Sequence, residues 1–174
     1  KLFNRIMNKK FPGFVFLLLL ILVTIQSSAQ NKGVMFSDVT KQSGINFKYT
    51  IGDFSYKNII ESSGSGITVF DYNNDGLMDL YLMNGTYLEG ISDPEGKVFK
   101  NSHNELYKNN GNGTFTEVTE KAGVGGHQWS MAAGAVDYDN DGDKDLYLLN
   151  YGPNVFYRNN GNGTFTDITA SLGL

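Results

Sequence analysis

From Gly66 to the end of the chain, apolar and polar side chains alternate in short runs, and clusters of Asp, Asn and Gly separate the runs. Period-two alternation between turn-forming clusters marks half-buried strands. The pattern predicts strands over 66–70, 80–84, 105–109 and 114–118, and a second set over 131–136, 145–150, 155–158 and 164–168. Beyond the N-terminal region no segment carries the 3.6-residue apolar period of an amphipathic helix.

The two sets of strands are copies of one unit. Residues 70–84 read FDYNNDGLMDLYLMN and residues 136–150 read VDYDNDGDKDLYLLN, an offset of 66. The second half of the unit recurs at an offset of 50, as LYKNNGNGTFTEVT (106–119) and FYRNNGNGTFTDIT (156–169). Each copy closes on an apolar tag, Ala122-Gly123-Val124 or Leu172-Gly173-Leu174. FSDVTKQSGI at 36–45 repeats the tail alone and reads as an orphan fourth strand at 36–39. Four-stranded antiparallel sheets in tandem are propeller blades, which bury their faces by stacking on neighbours. The expected fold class is therefore all-β: a partial β-propeller of two four-stranded antiparallel blades plus the orphan strand. Closing a propeller takes about four to eight blades. More blades of the same polypeptide are expected, and the sequence reads as the N-terminal piece of a longer protein.

The first residues follow a different pattern. Lys9-Lys10 precede an apolar run from Phe14 to Val23, and Ser27-Ser28-Ala29 offers small residues for cleavage before Gln30. That is a secretory signal peptide over 1–29, with Met7 as the expected true start. The run is shorter than the ~20 apolar residues a span needs, so no membrane span is expected after cleavage. The remaining divisions are a lead-in at 30–65, blade one at 66–124 and blade two at 125–174, and the expected location is secreted, cell-surface or periplasmic.

Charge and cysteine content narrow the function classes. The 174 residues carry a formal charge of −4, and residues 1–29 hold four of the basic groups and no acidic ones. The rest is left with ten basic against eighteen acidic side chains. Phosphate binding needs clustered Lys and Arg, so nucleic acid is excluded as a partner. With no cysteine, disulfide scaffolds, thiolate metal sites and Cys nucleophiles are excluded too.

Candidate chemistry sits in the first turn of each unit. Asp71, Asn73, Asp75 and Asp79 occupy positions 1, 3, 5 and 9 of one loop, as Asp137, Asp139, Asp141 and Asp145 do in the other. Alternate spacing aims every second side chain at one point, Gly76 or Gly142 at position 6 allows the bend, and the position-7 carbonyl of Leu77 or Asp143 can add an oxygen. Six to eight hard oxygen ligands in a flexible loop suit calcium. Two calcium sites are expected. The loop at Asp137–Asp145 should bind more tightly, having four carboxylates where the other has three and Asn73. These loops are not EF-hands, because position 12 is Leu82 or Leu148 rather than a bidentate Glu. The expected metal role is structural.

Together with GSGITVFDYNNDGLMDLYLMN (64–84) and WSMAAGAVDYDNDGDKDLYLLN (129–150), these motifs resemble the FG-GAP/VCBS-repeat proteins with integrin-like β-propellers. Within them the chain is most similar to the secreted group related to cartilage acidic protein, which often ends in an ASPIC/UnbV domain. The resemblance implies a calcium-binding propeller whose ligands fall on Asp71, Asn73, Asp75, Asp79, Asp137, Asp139, Asp141 and Asp145.

Other motifs point to bland roles. His103 and His127 lie in different linkers and read as surface residues. Trp129 reads as core between blades, and the glycine-rich 61–66 segment as a linker. Asn112-Gly-Thr114 and Asn162-Gly-Thr164 match glycosylation acceptors, but turn chemistry explains them first. The expected function is a non-enzymatic, calcium-stabilised module that binds an extracellular protein or glycan through face loops such as 85–104 or 121–128. The alternatives are a structural scaffold of a longer secreted protein and part of a polysaccharide-acting enzyme.

Overall fold

The computed structural model describes residues 35–62 and 65–174. The expected signal peptide lies outside the described residues. Two antiparallel four-stranded sheets account for most of the order, each with its strands in sequence order. The first contains β1 (Ile67–Phe70), β2 (Asp79–Leu82), β3 (Glu105–Asn109) and β4 (Phe115–Glu117). The second contains β5 (Trp129–Val136), β6 (Asp145–Tyr151), β7 (Val155–Asn159) and β8 (Phe165–Asp167). The chain is thus all-β with the blade pattern of a partial propeller.

Alternation along the strands decides which face meets which. In β6, Leu146 and Leu148 are fully buried while Leu149 is exposed. The buried side joins Phe70, Tyr72, Tyr81, Met83 and Leu106 of the first unit to Leu146, Leu148, Val155, Tyr157 and Phe165 of the second in one core. The sheets are therefore stacked, and the inner strands are stapled by the Thr68 hydroxyl, which donates to the Ala133 carbonyl (2.8 Å).

Each outer strand leads into a four-residue helical turn that lacks any sequence period: α2 (Thr119–Ala122) and α3 (Thr169–Leu172), with α1 (Thr40–Ser43) at the degenerate copy. All three stop at a glycine in the left-handed region, Gly44, Gly123 or Gly173, with φ of 76°, 78° and 72°. That is the ordinary helix C-terminal use of glycine. Thr119 and Thr169 tie the turns back to their sheets, their hydroxyls accepting the Leu106 and Phe156 N–H groups (2.8 and 2.9 Å).

The orphan strand expected at 36–39 is absent. Residues 36–39 are not among the described strands. What survives of the tail repeat is its helical turn.

The units differ most between their second and third strands. The link is three residues in the second sheet (152–154) but runs from Met83 to Asn104 in the first. There it folds with residues 45–62 around a second core of Ile51, Ile60 and Trp129, flanked by Leu88 and Ile91. Trp129 is core as expected, but it packs under this connection rather than between the sheets. Close backbone approach makes the join rigid: a Cβ on Gly52 would lie 2.0 Å from the Thr86 carbonyl oxygen. The start of the glycine-rich segment belongs to a 3-10 turn at Ile59–Ser62. The Glu61 carboxylate there accepts the Lys57 and Asn58 N–H groups (2.7 and 2.8 Å).

Leu148→Ala opens the shared core and should cost about 2–5 kcal/mol. Leu149→Ala, one residue on but facing outward, should change stability by less than about 0.5 kcal/mol. Urea denaturation of the two variants checks the assignment of faces.

Candidate metal centre

Both Asp loops join the first two strands of a sheet, and the local sequence explains their shape. Asn74 and Asn140 adopt φ of 57° and 60°, and Gly76 and Gly142 adopt 83° and 96°. These are left-handed conformations that Asn and Gly tolerate best. The position-1 carboxylate organises each turn. Asp71 accepts the N–H groups of Asp75 and Gly76 (3.1 and 2.8 Å), and Asp137 those of Asp141 and Gly142 (both 3.1 Å). The position-5 carboxylates, Asp75 and Asp141, accept the N–H of Leu77 and Asp143 (3.0 and 2.9 Å).

The position-9 aspartates are the buried members. Asp145 Oδ2 accepts the Tyr138 N–H (3.0 Å) and its Oδ1 the Asn159 N–H (2.8 Å), which links the loop, the start of β6 and the end of β7. Asp79 does the same with Tyr72 (3.1 Å) and Asn109 (2.7 Å). Burial pushes the Asp79 carboxyl above the usual carboxylate range, against the pull of its two backbone donors. A raised folded-state pKa favours the protonated form, so at neutral pH the Asp79 charge opposes folding.

The two loops then diverge. Asp137, Asp139 and Asp145 bring one carboxylate oxygen each within 4.8 Å of one another, the only such set of three among the described residues. An all-oxygen, triply anionic cluster of this kind fits a hard divalent cation. The first loop instead balances its charge internally. The Asn73 amide donates to Asp75 (3.0 Å), and the Lys108 ammonium lies 3.1 Å from the same oxygen. Asn73 and then Lys108 hold the Asp75 carboxyl below its usual value.

Of the residues singled out from sequence, Asp137, Asp139 and Asp145 converge. Asp141 is exposed and turned to the backbone, and the Asp143 carboxylate accepts the Asn74 side-chain amide from the first loop (2.6 Å). Asp71, Asn73, Asp75, Leu77 and Asp79 share one loop without forming a convergent set of three acidic groups. Sequence reasoning missed Asn159, whose amide donates to the carbonyls of Tyr72 (2.8 Å) and Lys144 (3.1 Å). Its repeat partner Asn109 donates in the same way to the Met78 carbonyl (3.0 Å). Asn109 and Asn159 do serve their turns, accepting the N–H of Gly111 and Gly161 (2.9 and 3.1 Å).

Tandem four-stranded blades, each opened by an Asp-loop hairpin, define a propeller-type repeat protein. Residues 98–148 and 137–173 match the family model of the FG-GAP-like repeat, so this part of the chain is similar to FG-GAP-like repeats. Both windows contain the Asp137–Asp145 loop, and the first runs from the outer strands of one sheet into the inner strands of the next. No curated protein matches the chain. Among the described residues no helix is long and apolar enough to cross a membrane.

Asp145→Asn swaps a buried double acceptor for a group with one acceptor oxygen, leaving a backbone N–H unpaired. It should cost about 1–3 kcal/mol even in chelator. Asp139→Asn is exposed and should be neutral to within about 0.5 kcal/mol under the same conditions. Chemical denaturation in chelator separates the two roles.

Proposed function

We propose that this chain is an exported, calcium-binding FG-GAP/VCBS-type repeat module that engages an extracellular protein or glycan and is not itself an enzyme. The observation that carries the calcium part is the convergence of Asp137, Asp139 and Asp145. Three carboxylates at one point repel one another, and a divalent cation relieves that repulsion while pinning the hairpin. Calcium suits the site better than magnesium, which demands a tight octahedron and dehydrates reluctantly. The first loop is a second, weaker site, because Lys108 must leave Asp75 before a cation enters. An extracellular setting supports the reading, since FG-GAP-like repeats are typical of extracellular proteins. Kinship with the cartilage-acidic-protein-like group and its ASPIC/UnbV domain is part of the same proposal and rests on the motifs at 36–45, 64–84 and 129–150.

Topology supports separate places for stabilisation and recognition. The Asp loops and the Asn-Gly turns lie at one end of the sheets, whereas the 83–104 and 118–128 connections lie at the other. The second end carries the non-repeated sequence and the second core, so binding is assigned there.

The scaffold reading has its own support. Phe70, Tyr72 and Met83 are 5%, 6% and 1% exposed beneath the second sheet, and their repeat counterparts Val136, Tyr138 and Leu149 are 51%, 40% and 45% exposed. Residues that form the core in one unit lie open at the same positions of the next. A further blade of the same polypeptide would cover them by the contact already made once within the chain.

Calorimetric titration with calcium should give two sites of unequal strength. Asp139→Asn should weaken the tighter one by about tenfold or more, since ligand charge tunes affinity. Titrations that show no calcium binding, or the same affinity in the variant, would contradict the assignment.

A further inference from the structure

The chain's only two histidines are 24 positions apart, on the connections that precede β3 and β5. The fold brings them together at the end opposite the Asp loops. Their rings meet edge to face with centroids 6.2 Å apart. Both line one cavity of about 330 Å³ with Glu117, Thr119, Glu120 and Gly125. The two connections are locked beside the rings, because the Asn104 N–H donates to the Gly125 carbonyl (2.7 Å). Val124 is held in turn by the Tyr81 hydroxyl, which donates to its carbonyl (2.7 Å).

The His103 ring is also oriented. Its Nδ1 lies 3.2 Å from the Asn101 carbonyl oxygen, so it carries the proton and Nε2 remains an electron-pair donor. An imidazole fixed through one nitrogen to a backbone carbonyl is the usual outer-shell arrangement of a metal-binding histidine. Two imidazoles beside carboxylates form a donor set that selects borderline ions such as Zn²⁺ over calcium.

We propose that His103 and His127 form a binding site for a divalent transition metal of the zinc class, completed by the Glu120 carboxylate. Glu117 is less free to turn toward the rings, because its Oε1 is tied to the Thr119 N–H (2.6 Å). Glu120 is exposed in the first turn of α2. The three ligand atoms do not yet converge, as the only set of three within 4.8 Å among the described residues is the aspartate cluster. Binding of the ion would therefore require side-chain rotation, of Glu120 in particular, which is exposed. Bound metal would bridge the connection that ends β2–β3 and the one that joins the sheets, stiffening the end assigned to recognition.

The test is a calorimetric titration of the full chain with zinc in buffer holding excess calcium, which keeps the Asp loops out of the measurement. One zinc per chain is expected. His103→Asn and His127→Asn should each weaken it by at least about tenfold, the smallest loss typical even of outer-shell changes. Glu120→Gln should weaken it less. In the unmodified protein both imidazole C–H resonances should move together as zinc is added, a readout that needs no variant to fold. Absence of saturable zinc binding, an affinity unchanged in His127→Asn, or imidazole resonances that do not respond would each overturn the proposal.

Discussion

A buried carboxylate at the last position of each Asp loop is the constraint on which the rest of the structure depends. Asp79 and Asp145 each accept a backbone N–H from the loop and another from the end of the third strand. One side chain thus fixes where a hairpin begins and where the third strand stops beside it. The order Asp-Leu-Tyr-Leu then sets the alternation of the second strand and so the face each sheet presents to its neighbour. Carboxylates are almost never fully buried unless paired. Here backbone donors satisfy two lone pairs of each carboxylate.

The two units act as controls for each other. The same turn is built twice, but Asn73 and Lys108 offset charge in the first copy, while Asp137, Asp139 and Asp145 gather it in the second. The loops are also coupled: Asn74 reaches Asp143, and Asn159 reaches the Tyr72 carbonyl. A cation in the second loop would therefore stiffen the boundary between the sheets as well as its own hairpin. The opposite end departs from the repeat, and the long connection, the tryptophan core and the histidine pair lie there.

Much of this was legible in the sequence because the repeat fixes local structure twice. The strands fall within two residues of the expected positions, since Asn and Gly turns bound every run and alternation decides the faces. The helical turns α1–α3 left no such trace. Four residues cannot show a 3.6-residue period, and only the glycines in the left-handed conformation mark their ends. The segment at 36–39 resembles β4 and β8 in composition but is not among the described strands. The position-9 aspartates were read as ligands alone, because a backbone acceptor role depends on where the third strand ends. The meeting of His103 and His127 was likewise invisible, as it depends on the Asn104–Gly125 contact between two connections of unrelated sequence.

In the proposed function, calcium in the Asp137–Asp145 loop holds the second sheet together. Thermal unfolding of the protein in calcium, in magnesium and in chelator tests it most directly, because an ion that binds only the folded state raises the melting temperature by mass action. The account predicts a higher melting temperature in calcium than in either magnesium or chelator. Identical melting temperatures in all three conditions would contradict it and reduce both Asp loops to hydrogen-bonded turns.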